Sequence, residues 1–139
     1  MADLVEGPID TGRLFADAAR PDCGAILVFL GTTRDHHEGR LVERLFYEAY
    51  RPMALAALAR IERDTVERFA AASCRIVHRL GEVPRAEASV AVVVAAAHRA
   101  AAFDACRWAM DEVKRTAPIW KKEHYADGGA GWVAGARLG

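Results

Sequence analysis

The segment Lys114-Arg115-Thr116-Ala117-Pro118-Ile119-Trp120-Lys121-Lys122-Glu123 holds four cations and one carboxylate within ten residues, around an apolar Pro-Ile-Trp centre. Pro118 disfavours helix at Ala117, so a helix arriving through Lys114 should stop close to Arg115. Extended chain should follow from Ile119. Such a break folds the segment back and lets Lys114 and Lys121 face one another. Two ammonium groups held together beside an indole depress each other's pKa and form an anion site. The same residues have a plainer reading. Lys114 then serves only as a cation at a helix C-terminus, and Lys121 and Lys122 are solvated.

Further polar clusters stand at the ends of apolar runs, where a rigid scaffold presents functional groups. Arg34-Asp35-His36-His37 offers a guanidinium fork suited to phosphate or carboxylate, and it also reads as a charged hairpin turn. The two adjacent histidines point opposite ways in extended chain and make a poor metal pair; no metal is expected. His98-Arg99 lies where a second long helix should begin. Free backbone N–H groups favour an anion there, although a snorkelling Arg beside a surface His would look the same. His78-Arg79 reads as structural unless the fold brings it to the other clusters. The chain contains no G-x-S-x-G, H-E-x-x-H or P-loop motif. These residues describe an anion-handling domain in which a lysine could act as acid or base.

The elements that must position these groups fit within 139 residues, most simply one domain over 1–139 with a substantial core. Hydrophobic content of 53% and charged content of 27% are those of a globular protein. Nineteen basic and nineteen acidic residues cancel, which argues against a general nucleic-acid or anionic-membrane binder. The apolar stretch 88–97 is too short to span a bilayer, and the acidic start reads as lacking a secretory signal. Cys23, Cys74 and Cys106 are widely spaced and fit buried thiols in a reducing cytosol.

Asp10 or Thr11 should cap a short helix running to Ala19. The apolar run 24–30, bounded by Gly24 and Gly31, reads as a buried central strand. A second strand is expected over 41–50, with Leu45, Tyr47 and Ala49 on one face. Pro52 opens a long helix to about Ala72. Strands follow over 74–80 and 88–97, separated by a polar turn at 81–87. A second long helix after His98-Arg99 should bury Phe103, Cys106, Met110 and Val113. A fifth strand is expected over 119–125. The expected fold is a two-layer α+β domain, with long helices packed on one largely antiparallel sheet.

Five motifs, in register from about Gly24 to Val133, resemble the MoaE family, the large, catalytic subunits of molybdopterin synthase. They are Phe29-Leu30-Gly31-Thr32-Thr33-Arg34-Asp35-His36; Leu45-Phe46-Tyr47-Glu48-Ala49-Tyr50 with Pro52-Met53-Ala54; Val77-His78-Arg79-Leu80-Gly81; His98-Arg99 with Ala102-Phe103; and Pro118-Ile119-Trp120-Lys121-Lys122-Glu123 with Asp127-Gly128 and Trp132-Val133. The resemblance implies a cytoplasmic sulfurtransferase of molybdenum-cofactor biosynthesis. It would convert cyclic pyranopterin monophosphate into molybdopterin, with sulfur from the Gly-Gly thiocarboxylate of a small ubiquitin-like carrier subunit.

The same resemblance implies a homodimer within a heterotetramer, and no bound cofactor. It gives Lys114 and Lys121 as catalytic lysines, Arg34, His98 and Arg99 as substrate-binding groups, and Phe29, Met110 and Glu123 as residues near the same pocket. Arg137 is the candidate for the family's C-terminal arginine. The alternative reading is a noncatalytic α+β module that binds an anionic metabolite or a partner's tail.

Overall fold

The computed structural model describes residues 2–133; Arg137 lies outside them. The strands are β1 (Asp3–Val5), β2 (Ala25–Thr32), β3 (His36–His37), β4 (Arg40–Ala49), β5 (Ser73–Arg79), β6 (Gly81–Pro84), β7 (Ala88–Ala96), β8 (Ile119–Tyr125) and β9 (Ala130–Trp132). The helices are α1 (Thr11–Ala18), α2 (Arg51–Phe69) and α3 (Arg99–Thr116). The α+β architecture and its largely antiparallel pairing are as expected. The strands nevertheless divide into two sheets. One runs β1-β5-β7-β2, and the other runs β3-β4-β8-β9 with β6 also on β4.

Helices α2 and α3 pack together on one face of the four-stranded sheet, and α1 covers part of the other. Strand β7 is therefore shielded on both faces. Val90, Val92 and Val94 enter the larger core, while Ala91 and Val93 meet Leu14 and Ala18 of α1. Period-two alternation explains both assignments. The larger core also takes Val42, Leu45 and Tyr47 of β4 and Ile119 of β8, so both sheets close over one interior.

Strand β2 is not the central strand. It pairs with β7 alone among the described residues, and Val28, Phe29 and Leu30 remain 36%, 40% and 37% exposed. A continuous apolar run marks a strand but does not say which edge is occupied. The centre belongs to β7, whose residues from Ser89 to Ala96 are all buried.

Local signals account for several helix ends. Asp10 caps α1 by accepting from the Arg13 backbone N–H at 3.0 Å. Pro52 lies in the first turn of α2. That helix stops at Phe69, before the expected end, because Ala70 turns into the left-handed region at φ 52°. Ala117, held extended before Pro118, ends α3.

Residues 81–84 form a strand instead of part of a turn. They pair with Arg44–Tyr47 and bury Val83 completely. One apolar residue in four carries no readable period, so only the neighbour on β4 defines this strand. Phe103 is 58% exposed and falls outside the buried stripe of α3, which is Ala102, Ala105, Cys106, Ala109, Met110 and Val113.

Candidate active site

A cavity of about 190 Å³ opens where the C-terminal ends of β2 and α3 meet β4 and β8. Arg34, exposed at its mouth, stands two residues past the end of β2. Two backbone hydrogen bonds, Thr33 N–H to Glu87 O at 3.1 Å and Ala86 N–H to Thr33 O at 2.9 Å, hold the chain there against the 84–87 turn. Gly31 leaves room for the Val90 side chain on the paired strand β7, since a Cβ at this position would stand 2.7 Å from Val90 Cγ1. Phe29 and Met110 form apolar wall beside it.

Lys114 reaches the cavity from the last turn of α3, and Lys121 reaches it from β8. Lys114 is a cation at a helix C-terminus and also lines the cavity. The extended chain after Pro118 returns Lys121 opposite Tyr47 of β4, while Glu123 comes opposite Leu45. Alternation along β8 sets Lys121, Glu123 and Tyr125 on one face.

Burial lowers the Lys121 pKa from its ordinary value, and the charges of Lys114 and Arg34 lower it further; Glu123 opposes them. Glu123 is itself buried and accepts two hydrogen bonds on one oxygen. His37 Nδ1 lies 2.7 Å from Glu123 Oε1, and the Tyr125 hydroxyl donates to the same atom at 2.9 Å. The Arg40 guanidinium stacks 3.6 Å from the Tyr125 ring centroid and pairs with Asp127 at 2.9 Å. The carboxylate beside Lys121 is thus braced by His37 on the cavity wall and by Tyr125 behind it. His36 turns instead to Asp35, at 2.8 Å, so the adjacent histidines serve different carboxylates.

Among the expected site residues, Arg34, Phe29, Met110, Lys114, Lys121 and Glu123 all line this cavity. His98 and Arg99 do not. They begin α3, and the fifteen residue steps from Arg99 to Lys114 make about 22 Å of helix. Within one chain, the expected convergence of all three clusters is therefore corrected: two meet, and His98-Arg99 stands apart at the opposite end of α3.

The structure adds His37, Tyr47, His78 and Ser89 to the wall, and Tyr125 behind Glu123. Alternation along β8 was a usable signal for Tyr125. For His78, nothing local distinguishes a cavity wall from ordinary core. Cys74 and Cys106 lie in the main core, where burial pushes their thiols up to about 12 and about 11, so neither supplies a thiolate near neutral pH.

The arrangement combines a cationic mouth, a lysine with a weakened hold on its proton, and a braced carboxylate. It can bind an anion and move a proton beside it. Comparison with known proteins identifies the family. Residues 4–116 match the family model described as MoaE protein. The molybdopterin synthase catalytic subunit of Pyrococcus abyssi is 46% identical over 136 residues, covering 96% of this chain and 91% of that one. That of Bacillus subtilis is 39% identical, covering 91% and 80%. The crystal structure of molybdopterin synthase from Staphylococcus aureus superposes with a TM-score of 0.89 at 35% identity, over 94% of this chain and 95% of the other. On matches spanning nearly its whole length, the chain belongs to the MoaE family, whose members are the catalytic subunits of molybdopterin synthase.

Proposed function

We propose that this chain transfers sulfur from the C-terminal thiocarboxylate of a small ubiquitin-like carrier subunit to cyclic pyranopterin monophosphate, forming the molybdopterin dithiolene. The proposed setting is the cytoplasm. The observation that carries this reading is the meeting of Lys114, Lys121 and Arg34 at one cavity, with the Lys121 pKa lowered. Both ligands are anionic, and Arg34 and Lys114 would hold them at the mouth. Lys121, beside the carboxylate of Glu123, would move protons during attack by the thiocarboxylate and opening of the cyclic phosphate. Phe29 and Met110 supply apolar wall that keeps water away from the reacting atoms.

In this reading His98 and Arg99 enter from a second copy of the chain. The edge of β2 that has no strand partner among the described residues, with Val28, Phe29 and Leu30 partly exposed, suits antiparallel pairing with the same edge of a partner. Gly24 donates its backbone N–H to Ala97 O at 3.1 Å, so His98-Arg99 stands near the start of β2, whereas Arg34 follows its end. Antiparallel pairing brings the start of one β2 to the end of the other. The partner's basic pair would then approach this chain's cationic mouth, giving a homodimer with a carrier subunit at each end.

The test is reconstitution from the protein, a thiocarboxylated carrier and the cyclic pterin. Dithiolene product should form only with all three and should be lost in Lys114→Ala and Lys121→Ala. Carrier binding without product would favour the noncatalytic module.

A further inference from the structure

Past Gly31 the pairing of β2 with β7 shifts. Gly31 stands opposite Val90 and Thr32 opposite Ala88, so Ser89 is skipped. A bulge of this kind bends a strand and re-aims the residues that follow. Ser89 spans the shift by donating from Oγ to Gly31 O at 3.2 Å. Thr33 then leaves β7 and is gripped by the 84–87 turn: its N–H donates to Glu87 O at 3.1 Å, and its carbonyl accepts from Ala86 N–H at 2.9 Å. Arg34, the cation at the cavity mouth, is the next residue.

One internal bond, Glu87 N–H to Pro84 O at 3.2 Å, closes that turn. Ala86 within it stands at φ 68°, a left-handed conformation that alanine adopts only under constraint. Among the described residues, a single side-chain bond reaches residues 84–87: Arg79 Nη1 donates to Glu87 Oε1 at 2.8 Å. Arg79 ends β5 and is 7% exposed, whereas the Glu87 side chain is 45% exposed. The guanidinium is therefore the fixed partner, and the carboxylate is the one it holds. Arg79 Nε is buried without a hydrogen-bond partner, so Glu87 is the group that engages this guanidinium among the described residues. Arg79 itself does not line the cavity.

We propose that Arg79 is a positioning residue for Arg34. Its ion pair with Glu87 anchors the strained turn to β5, the two backbone bonds of the turn fix Thr33, and Thr33 fixes where the Arg34 side chain begins. An exposed pair would carry little of this load. Here one partner is buried, and a buried guanidinium that loses its carboxylate cannot turn to water instead. The proposal rests on the sulfur-transfer reading for its ligand, the cyclic pyranopterin monophosphate that Arg34 would hold. It gives a residue outside the cavity control over precursor affinity.

Amide hydrogen exchange of the whole protein, followed by NMR, reads the anchor without any ligand. Arg79→Met should speed exchange at Thr33 and Ala86 at least about tenfold, while the amides of β7 keep their protection. Unchanged exchange at both positions overturns the proposal. Calorimetry with cyclic pyranopterin monophosphate reads the consequence. Arg79→Met should weaken binding about tenfold, and should cost nothing further in an Arg34→Ala background. Equal losses in the two backgrounds would mean general packing, and would also overturn it. Glu87→Gln, which keeps an acceptor for the guanidinium, should retain most of the affinity. Where Arg79→Met fails to fold, Arg79→Lys, a cation without the planar fork, carries the same comparisons with smaller changes. A wild-type protein that does not bind the precursor removes the sulfur-transfer reading, and exchange at Thr33 and Ala86 then decides the anchoring by itself.

Discussion

His37 Nδ1 and Glu123 Oε1 lie 2.7 Å apart although 86 positions separate them in the chain. This contact joins the short β3 hairpin to the strand that bears Lys121. Glu123 raises the Lys121 pKa against burial, and His37 and Tyr125 set where that carboxylate sits. His37→Ala should therefore lower kcat about tenfold with little change in KM, the usual scale for a mispositioned proton-transfer group. Tyr125→Phe should do less, because it removes the longer of the two hydrogen bonds to Glu123 Oε1, 2.9 Å against 2.7 Å. The double variant should depart from additivity, since both groups act through one oxygen. Steady-state kinetics of the four proteins checks this; strictly additive losses would separate the two residues.

Lys121 should show opposite effects on activity and stability. Lys121→Arg keeps the charge but not the proton chemistry, and turnover should fall at least about a hundredfold while carrier binding persists. Lys121→Met should be equally inactive yet melt no lower than wild type at pH 7, because a cation whose charge folding disfavours is removed. Folding lowers this pKa from 10.5, so between the folded value and 10.5 the unfolded chain binds more protons. The group's contribution to native stability thus rises with pH through that window, and the Met variant should lack the rise. Calorimetry across alkaline pH reads both proteins.

A shared site between two copies makes a distinctive prediction. Arg34→Ala and Arg99→Ala should each weaken precursor binding more than carrier binding. At precursor concentrations too low for either variant to turn over, a mixture of the two, unfolded and refolded together, should recover about a quarter of wild-type activity. Half of the dimers are then mixed, and each has one intact site of two. No recovery would place both arginines in the service of the same chain's cavity.

The buried imidazole should also appear in acid stability. His78 has its pKa lowered from 6.5 to about 4, so between these values the unfolded chain binds the extra proton. Stability from this group is complete above 6.5 and falls as pH drops toward 4, by about 3 kcal/mol in all. Urea titrations of wild type and His78→Gln over this range should diverge accordingly. Parallel pH profiles would show the ring to be less isolated from water than the structure implies.

Much of this was legible in the residues themselves, for local reasons. Asp10 capping α1, Pro52 opening α2 and Pro118 ending α3 each act within one turn of chain. The return of Lys121 toward Lys114 follows from that proline, and the motif spacing from Gly24 to Val133 was enough to place the family. The rest depended on neighbours distant in sequence. An apolar run cannot disclose whether its hydrogen-bonding edges are occupied, so β2, expected at the centre, lies at the end of its sheet beside β7. Val83 carries no period of its own and became strand through β4. His98-Arg99 and Lys114 share a helix, but its rigid length sets them at opposite ends. His37 and His78 joined the site only when separate strands packed around one cavity, because hydrogen-bond partners and burial are properties of the packed chain.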